Sequence, residues 1–222
     1  MGENITLTAE DGVKIGAYVA KPAGAPRGGV VVIQEIFGVN HHIRAVADRY
    51  AAEGYVAVAP ALYDRVQAGY ESGYDQPDVQ AGVAIRGKTD AAKVMLDVKA
   101  AVAEAAKAGK VGVVGYCWGG TLAFAAAVNI PGVAAASGYY GAGVAAMCDK
   151  APVAPTILHF GETDHSIPMA DVEKVKAARP ETPVYVYAAG HGFNCDERGA
   201  YDKAAADLAR QRTYDFFAKH VG

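Results

Sequence analysis

The segment Val113-Val114-Gly115-Tyr116-Cys117-Trp118-Gly119-Gly120-Thr121 runs from a β-branched stretch, through a cysteine flanked two residues away by glycines, into an alanine-rich stretch. A strand-to-helix turn that tight lets no side chain intrude, and Gly115 and Gly119 are the two positions where a Cβ would clash. This is the layout of a nucleophile elbow carrying cysteine in place of serine. The turn would lift Cys117 clear of the sheet and set its sulfur at a helix N-terminus, whose positive dipole end favours an anion. A lone cysteine after a strand is ordinarily core, so the pair of glycines and the strand–helix context carry the reading. Gly115 and Gly120 also have the spacing of a phosphate loop. That motif needs lysine next, and here Thr121 follows Gly120.

A thiol nucleophile requires a base, and the base an orienting acid; on this layout they follow in the order nucleophile, acid, histidine, each after a strand. Phe160-Gly161-Glu162-Thr163-Asp164 offers Asp164 as the acid, with Glu162 as the spare carboxylate. Gly190-His191-Gly192-Phe193 follows another apolar run and offers His191 as the base. Of the other histidines, His41 and His42 precede the nucleophile, and His159 falls inside a strand as a core residue. His165 adjoins the acid and His220 closes the chain.

Strands and helices must alternate to bring these three together. Apolar runs predict strands over 5–9, 13–20, 30–33, 56–59, 111–114, 133–136, 156–160 and 184–187, with Asp11-Gly12 turning the first pair into a hairpin. Periodicity predicts helices over 41–52, 88–108, 119–128, 169–178 and 197–219. The expected fold class is α/β: a mostly parallel sheet with an N-terminal antiparallel hairpin and helices on both faces, as one domain over 1–222. Residues 62–87, with Tyr63, Tyr70 and Tyr74, read as a long loop and a candidate lid.

Composition narrows the classes. With 52% hydrophobic and 20% charged residues, the chain has the make-up of a packed globular protein. A net charge of -3 excludes a nucleic-acid binder that relies on bulk positive charge. The three cysteines cannot make a disulfide framework and suit a reducing compartment. The first residues show neither the basic nor the apolar stretch of a signal peptide, and no apolar run is long enough for a bilayer, so a cytoplasmic location with no membrane partner is expected.

Four strings carry a resemblance: Gln34-Glu35-Ile36-Phe37-Gly38-Val39-Asn40, Gly115-Tyr116-Cys117-Trp118-Gly119-Gly120, Gly161-x-x-Asp164-x-x-Ile167-Pro168 and Gly190-His191-Gly192-Phe193. Over almost its whole length the chain resembles the dienelactone hydrolase (carboxymethylenebutenolidase) family of the α/β-hydrolase fold. The resemblance implies a hydrolase that opens an ester or lactone through a Cys117–His191–Asp164 triad and a thioester acyl-enzyme. It also gives Glu35 a role that triad logic does not reach, accepting the thiol proton as substrate binds. Removing a carboxyl from water favours its protonated form, the property such an exchange needs. The amides of Ile36 and Trp118 would make the oxyanion hole.

Two departures bear on the substrate. Family members carry an arginine four residues after the histidine, where this chain has Cys195, and an Arg–Tyr pair four apart in the mid-chain loop, matched neither by Arg65 and Gly69 nor by Arg86 and Asp90. Arg198 or Arg86 would have to supply positive charge from a shifted position. With Phe37 and Phe193 they complete the candidate substrate contacts. A small ester or lactone is the expected partner, with no cofactor, no metal and no nucleic acid, in a monomer or weak homodimer. The alternative is a thiol-redox or sensor protein on the same fold using Cys117 and Cys195.

Overall fold

The computed structural model describes residues 2–222. Eight strands form one sheet in the order β1-β2-β4-β3-β5-β6-β7-β8. Strands β1 (Glu3–Thr8) and β2 (Lys14–Ala20) pair antiparallel, as do β2 and β4 (Tyr55–Pro60). The others run parallel: β3 (Gly28–Ile33), β5 (Val111–Tyr116), β6 (Val133–Tyr139), β7 (Thr156–Gly161) and β8 (Val184–Tyr187).

The central strands are apolar along their whole length because both faces are covered. Val30 and Val32 of β3 pack with Val46, Tyr50 and Phe217 on one face, while Val31 and Ile33 pack with Val98, Val102 and Leu122 on the other. The period-two alternation of a strand thus divides the core between α1 (His41–Ala52) and α6 (Lys203–His220) on one side, and α3 (Ala91–Ala105) and α4 (Trp118–Asn129) on the other. The expected mostly parallel sheet with its antiparallel hairpin is present, and every expected strand appears within one to three residues of its bounds.

Three expectations need correction. Residues 62–87 are not all loop: α2 (Gln76–Arg86) lies within them. Its start is written in the sequence as a capping box, in which Asp75 accepts from the Asp78 amide and Asp78 from the Asp75 amide, with a proline in the first turn. Its apolar face is thin, only Gly82 and Ile85 being buried, which is why periodicity overlooked it. The helix expected over 88–108 starts later, where Asp90 caps the amides of Ala92 and Lys93. The helix expected from 197 starts at Lys203, capped by Asp202, because 192–201 is a series of short turns. Between β7 and β8 stands α5 (Met169–Ala178), as expected.

Candidate active site

The bend after β5 is as sharp as the glycines require. Cys117 has φ 57° and ψ -115°, a conformation that costs a residue with a side chain about 1–3 kcal/mol. It is held there by its amide donating to the Tyr139 carbonyl (3.0 Å) and by its carbonyl accepting from the Gly120 amide (3.0 Å). A Cβ on Gly115 would lie 1.9 Å from the Gly119 oxygen, and one on Gly119 would lie 2.5 Å from the carbonyl oxygens of Ile33 and Gln34. The second approach has a chemical consequence. It draws the start of α4, which follows Cys117, against the end of β3, which leads into Glu35 and Ile36.

Cys117 is part-exposed, whereas Cys148 and Cys195 are buried. The sulfur lies 3.2 Å from His191 Nε2. The other ring nitrogen, Nδ1, lies 2.7 Å from Asp164 Oδ2, and Asp164 Oδ1 accepts from the Ser166 amide at 2.7 Å. Asp164 is buried, while the alternative acid Glu162 is exposed. Burial works against charge on His191, but its hydrogen bonds to Asp164 and Cys117 outweigh that and raise its pKa to about 10. The three residues named from sequence order therefore meet in one hydrogen-bonded line. His159, expected to be core, is fully buried between the Tyr187 hydroxyl (2.8 Å) and Thr213 (3.2 Å), and burial lowers its pKa to about 3.

Glu35 is 1% exposed. Its Oε1 accepts from Arg198 Nη1 at 3.0 Å, and its Oε2 is buried with no partner among the described residues. Arg198, one of the two arginines offered from a shifted position, thus pairs with Glu35. It arrives seven positions after His191, because Gly192 at φ 82° carries no Cβ; one there would stand 2.4 Å from the guanidinium. That guanidinium also lies over the rings of Phe37 (5.6 Å) and Tyr74 (5.9 Å).

The remaining candidates take up different places. The Ile36 and Trp118 amides donate to no turn or loop carbonyl among the described residues. Trp118 stacks on Tyr63 at 5.2 Å, and with Leu122, Val83 and exposed Arg86 it lines a cleft of about 430 Å3. Phe37 and Phe193 are buried, Phe193 packing against Tyr140 and Tyr187. Cys195 is buried too, and burial pushes its thiol up to about 12, which does not suit a resolving thiolate. Sequence reading placed Tyr63 in the candidate lid and did not single out Tyr140. Their hydroxyls, like Glu35 Oε2, are buried without partners among the described residues. Tyr140, at φ 37°, places its ring 5.2 Å from His191. Two adjacent tyrosines ending an apolar strand are indistinguishable in sequence from core residues.

Among the described residues there is no cluster able to hold a metal ion, and no helix long and apolar enough to cross a membrane. Residues 15–221 match the model of the dienelactone hydrolase family. A Synechocystis protein named "Putative carboxymethylenebutenolidase" is 38% identical, with 92% of each chain covered. The "Carboxymethylenebutenolidase" of Pseudomonas putida is 36% identical, covering 97% of this chain and 96% of that one. The crystal structure of a "Putative Dienelactone Hydrolase" from Klebsiella pneumoniae superposes with a TM-score of 0.88 at 31% identity, covering 99% of both chains. With that elbow, that sheet and this extent of likeness, the chain belongs to the dienelactone hydrolase family.

Proposed function

We propose that the protein opens an activated ester or lactone, of the enol-lactone kind, through a thioester on Cys117. The observation that carries this reading is the line of contacts from the Cys117 sulfur through His191 to Asp164, at 3.2 and 2.7 Å. The raised His191 pKa supports the imidazole as the group that takes the thiol proton. Glu35 Oε2, buried and without a partner among the described residues, is the second acceptor available to the thiol proton.

The sulfur attacks the carbonyl carbon, and the oxygen takes up the negative charge against the Ile36 and Trp118 amides. The carbonyl–oxygen bond of the ester then breaks, and an enolate leaves without needing a proton. Conversion of the thiolate to a thioester removes one of the two partners that keep His191 protonated, and the ring gives its proton to the departed enolate or to solvent. The imidazole can then act as a base, taking a proton from water as the water attacks the thioester. Asp164 holds Nδ1 throughout, so that Nε2 faces the reacting atoms. Collapse breaks the carbon–sulfur bond, releases the acid and restores the ion pair. Arg198 would meet negative charge on the substrate.

This scheme makes the leaving group decisive. An enol lactone or p-nitrophenyl acetate should be turned over with a burst. A saturated lactone of the same ring size, whose alkoxide must be protonated as it leaves, should react about 100-fold or more slowly. Equal rates for enol and saturated lactones would contradict the scheme.

A further inference from the structure

Arg198 reaches Glu35 from a segment with little to hold it. Asp196, Glu197, Gly199, Ala200 and Tyr201 are all exposed, and the segment is folded by short turns: Cys195 N–H to Gly192 O (2.9 Å), Arg198 N–H to Cys195 O (3.1 Å) and Tyr201 N–H to Arg198 O (3.0 Å). A long arginine carried by so open a segment has much freedom to lose when it pairs.

Two side chains tie the segment down. Asp196 Oδ1 lies 2.9 Å from His42 Nδ1, and its Oδ2 accepts from Arg49 Nη2 at 3.2 Å. Both partners belong to α1, and the neighbouring Glu197 meets His41 at the start of the same helix. That helix begins directly after the stretch carrying Glu35 and Ile36, and Asn40 caps it through the Ile43 amide. Two stretches about 160 residues apart in sequence are therefore joined three times, by Arg198 on Glu35 inside the site and by Asp196 and Glu197 on α1 outside it.

The state of His42 indicates that the outer contact is more than packing. The ring is completely buried, and its Nε2 has no partner among the described residues. A buried polar atom left unpaired is costly, and an apolar side chain would fill the same space without that cost. The polar contact this imidazole makes is the one to Asp196.

We propose that Asp196 is a positioning residue: by bridging His42 and Arg49 of α1 it holds the segment after His191 in the register that sets Arg198 on Glu35. The proposal rests on the hydrolase reading and deepens it, assigning a residue that touches neither substrate nor thiol. It acts only through Arg198, which separates it from a general contribution to stability.

The test is a double-mutant cycle on the full chain with Asp196→Ala, Arg198→Ala and the double variant. The readouts are kcat and KM on p-nitrophenyl acetate, the rate of iodoacetamide alkylation of Cys117 against pH, and the melting temperature. Asp196→Ala is expected to lower kcat/KM about tenfold, short of the hundredfold that a misplacement of about 1 Å can cost. The loss should fall in the same parameter that Arg198→Ala affects, with the alkylation midpoint moving in the same direction. Once Arg198 is alanine, removing Asp196 should change nothing beyond about twofold.

Single effects that simply multiply, or an Asp196→Ala enzyme equal to wild type, would overturn the proposal while leaving the hydrolase reading intact. Wild-type turnover by Cys117→Ala, run alongside, would overturn that reading instead. Should Asp196→Ala fail to fold, Asp196→Asn keeps an oxygen for His42, loses the charge facing Arg49, and carries the same expectation of non-additivity.

Discussion

Replacing Cys117 with alanine is expected to reduce hydrolysis of p-nitrophenyl acetate by about 10⁴-fold or more, to a rate set by binding and the oxyanion donors alone. The fold should survive. The residue sits at φ 57°, which alanine tolerates no worse than cysteine, and the side chain that is lost is part-exposed. The amide that ties the bend to the Tyr139 carbonyl is retained, so the far-ultraviolet spectrum should be unchanged and the melting temperature should move by a few degrees at most. Kinetics and thermal melting on the same preparation check both halves. A variant with more than a hundredth of wild-type turnover would remove the sulfur from the mechanism.

Asp164→Asn should be the next most damaging change, lowering kcat by about 10²–10⁴-fold. The amide can still bond to His191 Nδ1 but cannot offset an imidazolium, and its NH2 group favours the tautomer that points a lone pair the wrong way. The same substitution has a signature in stability. In the folded protein His191 is raised to about 10 against an ordinary value near 6.5. A group raised on folding contributes its full stabilisation below the lower value and loses it as pH climbs through the higher one. The stability gap between wild type and Asp164→Asn should therefore be widest near pH 6 and close progressively toward pH 10. Denaturant melts at several pH values measure it. A gap that widened with pH would mean that His191 is neutral in the folded protein.

How legible these features were in the sequence follows from how local their causes are. Gly115 and Gly119 announced the elbow because only glycine permits the backbone approaches found there. The apolar runs gave the parallel strands, since burial on both faces leaves no polar positions. Asp164 and His191 followed from chain order, each standing just past a strand end. Helix α2 was hidden because its signal lies in a cap at Asp75 rather than in a periodic face.

Arg198 was legible only as a charge without a place. What brings it to Glu35 is the bare backbone of Gly192 together with a run of short turns, and neither leaves a mark in periodicity. The Asp196–His42 contact is less legible still. It joins residues 154 positions apart, and neither neighbourhood predicts the other.

The most direct test is to quench the enzyme during turnover of p-nitrophenyl acetate and measure the mass of the intact chain and of its peptides. The account predicts one acetyl group per chain on the peptide containing Cys117, released by hydroxylamine and absent from Cys117→Ala. Acetylation of a different residue at the rate of turnover, or full turnover with Cys117 never acylated, would contradict it.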